Sequence, residues 1–444
     1  MCLQNFLMMK KILFLAFCSL ILVSASFAQE GLLLADAIKK GLENNFQIRI
    51  YSQTSEIAKN SNSWGVAGRF PSIDLGVQQN NRFDNTPSQV NPDDRSKYYT
   101  NSVHPYINLQ WILFRGFAVQ ITKQKLESLE KLSEGNIAIV VENTIQSIVL
   151  AYYKVLLEEE KLKVLEKVKN LSRDRYDYMM ERKNLGTAVT FDVLQAKNAF
   201  LSDSSNFLLQ KLNLKNANLN LHLLLGDESK VQYNLTDEFN VVEQELDINV
   251  LMERMKADNK TLRNQYINQE ILKKDIRFQK SPLFPALSMN AGFDNFNSRI
   301  KFVDNDPSYA NNFDYYASFT LSFNLSNGGN TRIAIQNAKI QEIMGELSIS
   351  EMELQLSNTL INFYDLYNIR KQLHDVSLAN MESSELNMQI SEEKFKAGAI
   401  NSFNYRDIQI AYLLAAKNKL EAIYNLIDTR TEILRMIGGI ITEY

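Results

Sequence analysis

The sequence predicts an α+β membrane protein built from two similar halves. Three observations support this prediction: a long internal duplication, four segments that alternate like amphipathic strands, and two very long segments with helical periodicity. The duplication is visible in matching positions, because Gly186 and Gly398 lie 212 residues apart, as do Leu225–Gly226 and Ile437–Gly438. A repeat of this length is a duplicated half-protein, since solenoid repeats have periods of about 20–50 residues.

The N-terminal segment 1–28 is predicted to be a secretory signal peptide. Two lysines precede an apolar run that is too short to span a membrane, and Ser26-Phe27-Ala28 offers small residues where a signal peptidase cuts. Both cysteines of the chain, Cys2 and Cys18, lie within this segment. Lipidation of Cys18 is the alternative, although the bulky Phe17 before it argues against that fate. After cleavage the chain would have no thiol and no disulfide.

The signal and the duplication divide the chain into four predicted segments. Residues 1–28 are the signal peptide, 29–226 the first structural repeat, 227–246 a connector and 247–444 the second structural repeat. Each repeat is predicted to hold a helix, two strands and a long helical hairpin. The predicted strands are, in chain order, about 70–81, 102–115, 284–296 and 313–326.

The strands are predicted from the alternation of apolar and polar residues. The clearest run has these apolar odd-numbered positions: Phe313, Tyr315, Ala317, Phe319, Leu321, Phe323 and Leu325. A half-buried soluble sheet gives the same alternation. Membrane strands are favoured by the aromatic apolar faces, by the signal peptide and by run lengths close to the ~9–11 residues that cross a bilayer. The polar segments 79–102 and 295–312 would then be outward loops.

Four strands are too few to close a barrel, and this limit predicts the assembly. An open sheet edge in lipid leaves backbone N–H and C=O groups without partners, which is costly. Three copies would supply twelve strands, enough for a β-barrel whose polar faces line a pore. The sequence therefore predicts a homotrimer in contact with membrane lipid.

Helical periodicity predicts two very long helices at about 118–184 and 330–396. Apolar residues approximate the a and d positions of a coiled coil, and each helix would extend about 100 Å at about 1.5 Å per residue. Shorter partner helices are predicted at about 35–68, 188–225, 247–280 and 401–437.

Each long helix and its following partner are predicted to form a helical hairpin. Gly186 and Gly398 stand at the two turns, where glycine suits the left-handed residue after a helix end. Thr190 and Ser402 are expected to cap the helices that follow. Both turns are expected on the side of the molecule opposite the outward loops.

The composition gives no indication of catalysis or of nucleic-acid binding. The formal net charge is −3 at pH 7, and no basic patch stands out. The three histidines, His104, His222 and His374, lie in unrelated predicted elements, and no cluster has the spacing of metal ligands. No glycine-rich loop follows a strand to hold a phosphate. We therefore predict no enzyme, no cofactor and no metal site, and we interpret Asp93–Asp94 as part of a solvated loop.

These features together resemble the TolC-like family of outer-membrane efflux proteins. The matching segments, spread from about Ala35 to Gly438, are Phe70–Pro71, Phe284–Pro285, Phe114-Arg115-Gly116, Ser326-Asn327-Gly328-Gly329, Leu224-Leu225-Gly226, Met436-Ile437-Gly438 and the two hairpin turns. The duplicated order of these segments is more specific than any one of them. The resemblance implies a trimer in which a twelve-stranded β-barrel is continuous with a long periplasmic α-helical coiled-coil barrel. It also implies a location in the outer membrane, extending into the periplasm.

The resemblance implies a passive exit channel of a tripartite efflux or type I secretion system. The implied partners are a periplasmic adaptor (membrane fusion) protein and an inner-membrane pump. The cargo stays open between drugs, metal ions and polypeptides. The alternative function is a periplasmic coiled-coil adaptor or scaffold without a pore. Adaptors usually carry one helical hairpin, whereas two hairpins and four amphipathic strands favour the channel.

The resemblance further implies a periplasmic gate near the hairpin turns. By position, Asp192 matches an acidic gate residue of the first hairpin, and Asp407 matches an acidic ring residue of the second. Ile400 stands where the family has an arginine, and Asn404 where it has another acidic residue. The pore constriction is therefore expected at Asp192, Asn404 and Asp407, with fewer ion pairs than in the family. Each carboxylate has a simpler interpretation: the helix dipole favours Asp192 in a first turn, and Asp407 suits a solvated helix face.

Overall fold

The computed structural model describes residues 31–87, 95–227, 233–241, 243–303 and 306–443. The predicted signal peptide and the pair Asp93–Asp94 lie outside the described residues. The strands are β1 (Gly31–Leu32), β2 (Ser72–Pro87), β3 (Arg95–Arg115), β4 (Asn234–Leu235), β5 (Ala286–Phe302) and β6 (Ser308–Ser322). The helices are α1 (Leu34–Asn44), α2 (Phe46–Ser61), α3 (Ala118–Asn184), α4 (Thr190–Leu225), α5 (Ile248–Asp258), α6 (Lys260–Gln279), α7 (Asn330–Lys396), α8 (Ser402–Met436) and α9 (Ile440–Glu443). No described helix combines the length and apolar character that crossing a membrane requires.

The described residues form two compact units, and each unit draws on both halves of the sequence. The hairpin unit, as we call it, comprises the described residues of the ranges 1–49, 141–258 and 358–444. The sheet unit comprises Ile50–Val140 and Asn259–Ser357. The long helices α3 and α7, whose bounds match the prediction, each contribute residues to both units.

The sheet unit contains a four-stranded antiparallel sheet with the strand order β2-β3-β5-β6. One row of the register runs through Leu75, Ile107, Phe293 and Tyr315, so the apolar positions of all four strands share one face. The even-numbered, mostly polar positions share the other face. β2 and β6 are edge strands, each with a described partner on one side only. The predicted alternation is thus confirmed as a sheet with two chemically different faces.

The strands are longer than predicted at one end of the sheet. β2 and β5 continue to Pro87 and Phe302, and β3 begins early, so the prediction of loops at 79–102 and 295–312 was wrong for most of their length. These segments carry polar residues on both faces, so they keep the backbone hydrogen-bond ladder but lack the alternation that identifies a strand. At the other end of the sheet β6 stops at Ser322, before the predicted position 326.

Two predicted helices are each divided by an asparagine. The predicted helix 35–68 consists of α1 and α2 with Asn45 between them, and it ends at Ser61, before the predicted position 68. The predicted helix 247–280 consists of α5 and α6 with Asn259 between them. Asn45 Oδ1 and Asn259 Oδ1 each accept a hydrogen bond of 2.9 Å from a backbone N–H in the first turn of the following helix. An asparagine can thus end one helix and cap the next inside a continuous helical pattern.

Buried apolar side chains fill the hairpin unit in two clusters. The first surrounds Tyr152, whose Oη lies 2.8 Å from the carbonyl oxygen of Leu32 and 2.5 Å from Asp237 Oδ2. These two contacts of Tyr152 hold the short parallel pair of β1 and β4 against α3. Burial raises the pKa of the Tyr152 hydroxyl. The second cluster lies near the hairpin turns and consists of Val168, Met179, Val193, Ala196, Met388, Phe395, Tyr405 and Tyr412.

Candidate functional site

The turns of the two helical hairpins share one backbone geometry. After α3, the N–H groups of Gly186 and Thr187 donate to carbonyls of the last helical turn over 2.9 and 2.8 Å. After α7, the N–H groups of Gly398 and Ala399 do the same over 3.0 and 2.8 Å. Both are Schellman motifs, with glycine φ values of 76° and 74°. A Cβ on either glycine would meet no atom within 4 Å, so backbone conformation rather than space selects glycine here.

The helices that follow these turns begin differently. Asn401 caps α8, because its side-chain oxygen accepts a hydrogen bond of 2.8 Å from the N–H of Asn404. Val189 occupies the equivalent position before α4 and makes no side-chain cap. The expected caps, Thr190 and Ser402, are the first helical residues instead, so that prediction was wrong by one position.

The three predicted gate residues lie in the first two turns of α4 and α8. Asp192 is half-buried in the first turn of α4, whereas Asn404 and Asp407 are exposed on α8. Asp192 and Asn404 are equivalent positions of the duplication, 212 residues apart. No hydrogen bond or ion pair joins these three side chains to one another in the described part of the chain. Ile400 packs against the second buried cluster. The role of Asp192, Asn404 and Asp407 in a gate stays a prediction.

Apolar side chains are exposed at both hairpin turns. Phe191 and Phe403, also equivalent positions, stack with ring centroids 6.2 Å apart and remain exposed to solvent. Leu185 and Val189 beside the first turn are 78% and 62% exposed. Exposed large apolar side chains grouped at the ends of two hairpins are typical of a surface that contacts another protein. These residues flank the glycines of the predicted turns, but no local sequence pattern distinguishes them from other apolar residues of the helices.

A buried ion pair joins the two hairpins within the hairpin unit. Arg406 on α8 donates through both terminal nitrogens to the two carboxylate oxygens of Asp203 on α4, over 2.6 and 2.8 Å. The Asp203 side chain is 2% exposed and the Arg406 side chain 18%. The hydroxyl of Ser172 on α3 also donates to Asp203. Removing one partner while the hairpins stay packed would therefore leave the other charge buried without a counter-charge, which is strongly unfavourable.

A second arginine adds positive charge beside this pair. Arg175 on α3 is buried, and its Nη1 donates to the carbonyl oxygen of Ser402 over 3.1 Å. Burial, and then the neighbouring Arg406, lowers the pKa of Arg175 to about 10, so it stays charged at neutral pH. Asp203 thus pairs with Arg406, while Arg175 contributes a second positive charge nearby without an ion pair to the same carboxylate. No local pattern indicates this cluster, because Asp203 and Arg406 are 203 residues apart and each lies within an unbroken helical pattern.

One group of potential metal ligands exists among the described residues, formed by Glu243, His374 and Asp375. His374 Nδ1 lies 3.2 Å from Glu243 Oε1 and 3.9 Å from Asp375 Oδ1. Lys371 Nζ lies 3.5 Å from the other oxygen of Glu243, so an ammonium group already balances this carboxylate. We therefore interpret the group as an ion-pair contact between the predicted connector, 227–246, and α7, and not as a metal centre. Sequence analysis missed it because 131 residues separate Glu243 from His374.

The polar face of the sheet carries a band of carboxylates. Asp294 and Asp314 pair directly across β5 and β6, and Asp74 lies one row away on the same face. His104 Nε2 lies 3.5 Å from Asp294 Oδ1. Carboxylates collected in a pore wall attract cations, whereas on an open surface they are simply solvated. The sequence predicted the polar face but not this concentration of negative charge.

The chain matches the sequence profile of a known protein family. The family described as "Outer membrane efflux protein" matches residues 37–227 and 251–439, which together span most of the chain. A comparison with curated proteins gives no significant match.

Solved structures of outer membrane proteins share the fold. The outer membrane channel CmeC of Campylobacter jejuni superposes with a TM-score of 0.74 at 15% identity, covering 91% of this chain and 85% of that one. The open state of the MtrE outer membrane channel of Neisseria gonorrhoeae gives 0.70 at 12% identity, covering 91% and 89%. The outer membrane protein VceC of Vibrio cholerae gives 0.67 at 13% identity, covering 91% and 96%. At these identities the likeness establishes the fold alone.

Proposed function

We propose that this chain, which belongs to the outer membrane efflux protein family, is the exit channel of a tripartite efflux or type I secretion system. Family membership places the protein in the outer membrane, extending into the periplasm. Three copies assemble into a passive channel, a twelve-stranded β-barrel continuous with an α-helical coiled-coil barrel. A periplasmic adaptor and an inner-membrane pump are the partners, and the pump supplies the energy.

The observation that carries this proposal is the incomplete sheet. Its edge strands β2 and β6 have backbone groups without a described partner, and an open edge is not viable in lipid. Its apolar face is exposed in one protomer: Leu75 is 78% exposed, Phe319 65% and Leu321 71%. Lipid would cover this face, and neighbouring copies would pair with both edges. Each repeat, 29–226 or 247–444, then supplies two strands and one hairpin to every protomer.

The assignment of the two faces is tested by arginine substitution on adjacent residues. Phe319→Arg places a charge on the apolar face and should cost about 2–4 kcal/mol near the bilayer midplane. Thr320→Arg, on the polar face of the same strand, should be tolerated and should change conductance instead. Trimer yield after extraction from the membrane measures how well each of the two substitutions is tolerated. Equal tolerance of the two substitutions would contradict the proposed barrel.

The alternative function, a periplasmic adaptor or scaffold without a pore, predicts different behaviour on extraction. A scaffold washes off membranes with alkaline carbonate, whereas a barrel stays. A scaffold also has no need of a trimer, whereas a four-stranded protomer leaves edges that demand one. A stable monomer in detergent, measured by mass, would favour the scaffold.

The hairpin turns are the proposed periplasmic opening of the channel. Three copies of Asp192, Asn404 and Asp407 would surround the axis there, and the Asp407 ring would favour cations at the constriction. The exposed apolar side chains of Leu185, Phe191 and Phe403 are the proposed contact for the adaptor, because exposed apolar surface of this kind marks protein–protein interaction sites.

A further inference from the structure

We propose that the apolar face of the sheet binds the phosphorylated headgroups of membrane lipids at its rim near the β2–β3 and β5–β6 connections. We call this rim, formed by Arg95, Lys97, Arg299 and Lys301, the basic rim. The inference rests on the proposed function in one respect, namely that the apolar face meets lipid. It adds a specific ligand chemistry and a specific site.

The charges of the sheet are segregated between its faces. The four residues of the basic rim all occupy odd-numbered positions, which belong to the apolar face, and all four are exposed. No odd-numbered position of the described strands β2, β3, β5 and β6 is acidic. Within the described residues none of the four forms an ion pair, including with Asp306 in the β5–β6 connection. Four exposed cations thus lie together at one end of this face, and no described acidic residue shares the face with them, so the rim attracts anionic ligands.

The geometry of the rim suits a phosphate with attached acyl chains. In the register, Asn101 pairs with Arg299, and Tyr99 pairs with Lys301. With Asn81 these residues contribute to a shallow depression of about 480 Å³. The guanidinium of Arg299 and the ammonium of Lys301 are the donors that bind phosphate best, and the asparagine amides add neutral donors.

Aromatic and aliphatic side chains continue the site away from the charges. The rings of Phe83 and Tyr99 make a tilted contact with centroids 4.8 Å apart, and Tyr309 lies under the Arg299 guanidinium at 5.9 Å. Aromatic rings of this kind concentrate at the level of lipid headgroups in membrane barrels. Below them Val77 and Phe313 are exposed and offer apolar surface to acyl chains.

A second copy of the chain is not the partner of this rim. All four cations lie on β3 and β5, the central strands of the sheet, whereas copies would pair at the edge strands β2 and β6. Assembly of a barrel therefore leaves the basic rim free on the outer surface. A phosphorylated lipid matches both its charge and its apolar continuation.

Lipid retention in native mass spectrometry tests the proposal. The purified assembly is mixed in detergent with phosphatidic acid, with phosphatidylcholine, or with inorganic phosphate alone. We expect selective retention of phosphatidic acid, reduced about tenfold in the double variant Arg299→Gln/Lys301→Gln. Arg115→Gln is the matched control, because it removes an exposed cation from the opposite end of β3 and should leave retention unchanged.

Three outcomes would overturn the proposal: equal retention of the two lipids, an equal loss in Arg115→Gln, or displacement of phosphatidic acid by millimolar inorganic phosphate. Channel recording in pure phosphatidylcholine bilayers separates this inference from the proposed function. Both the wild type and the double variant should conduct there. Absence of conductance in the wild type contradicts the channel itself, whereas conductance without lipid selectivity contradicts only the basic rim.

Discussion

The two hairpin turns have the same backbone but different side-chain chemistry. Gly186 and Gly398 occupy matching Schellman motifs with nearly equal φ values. Before the next helix, the cap position is Val189 in the first hairpin, which makes no side-chain hydrogen bond. In the second hairpin it is Asn401, whose side chain caps the helix. The first turn of α4 holds Asp192, whereas the equivalent residue of α8 is Asn404. A duplicated sequence thus preserved the turn while the electrostatics of its two copies diverged.

The difference extends to the contact between the hairpins. The first hairpin supplies Ser172, Arg175 and Asp203 to the buried cluster, and the second supplies Arg406. Because the second hairpin contributes its arginine to a carboxylate of the first, the two hairpins are unequal partners in one polar contact. If the hairpins differ in this way, substitutions at matching positions of the two should have different effects on stability and on channel opening.

The largest effect is expected from breaking the buried contact. Asp203→Asn leaves the Arg406 guanidinium without its counter-charge and should lower the free energy of unfolding by about 3–5 kcal/mol. Urea unfolding of the detergent-solubilised protein, followed by circular dichroism, measures the loss. Glu385→Gln is the matched control, because it breaks a second ion pair between the hairpins, Lys167–Glu385 at 3.3 Å, whose side chains are exposed. That change should cost about 0–1 kcal/mol. Similar costs for both variants would refute a special role of the buried pair.

The glycines test whether the two turns are energetically equivalent. Gly186→Ala and Gly398→Ala should each destabilise by about 1–2 kcal/mol, because a Cβ disfavours positive φ. Neither substitution meets a neighbouring atom within 4 Å, so the two costs should agree. The same unfolding measurement applies. A difference of more than about 1 kcal/mol would mean that contacts beyond the backbone distinguish the turns.

Exchange of the caps tests the difference at the helix starts. Asn401→Val removes the side-chain cap of α8 and should destabilise by about 1 kcal/mol, whereas Val189→Asn should give α4 a cap and stabilise by a similar amount. Shifts of opposite sign in the unfolding midpoint are expected. If Val189→Asn is neutral, the exposed valine has another partner that offsets the new hydrogen bond.

Substitution of Asp192 distinguishes a helix-dipole effect on stability from a role in closing the channel. Asp192→Asn should destabilise α4 by about 0.3–1 kcal/mol, and Asn404→Asp should stabilise α8 by as much, because carboxylates are favoured in a first helical turn. If Asp192 also holds the closed channel, its replacement raises the open probability in single-channel recordings. An unchanged open probability would leave only the dipole effect.

The smallest effect on folding is expected at Asp407. This residue is exposed on α8, so Asp407→Asn should leave the unfolding free energy unchanged. Three carboxylates around the channel axis should favour cations and bind multivalent cations from the periplasmic side, and the variant should lose both properties. Reversal potentials in a salt gradient measure the selectivity. A wild-type selectivity in the variant would assign Asp407 to a solvated outer face.

Much of the fold was predictable because its signals are local. The alternation over 313–325 requires two faces with different surroundings, and the structure shows them. The bounds of α3 and α7 followed from long runs without proline and with one glycine each, Gly135 and Gly345. The breaks at Asn45 and Asn259 escaped prediction, because one asparagine in a helical pattern is compatible with either continuation or a cap. The outer parts of the strands escaped because residues that are polar on both faces show no alternation.

The turns, the two-faced strands and the long helices follow from the sequence alone, since each depends on residues a few positions apart. Glycine permits positive φ at Gly186, and a period of two or 3.6 residues distributes apolar side chains on one face. The contacts of Asp203 with Arg406 and of Glu243 with His374, in contrast, arise from the packing of distant elements. Many charged residues lie on these helices, and their local surroundings in the sequence are alike. Which of them pair depends on how distant elements pack, because burial makes one pairing favourable and leaves the others in water.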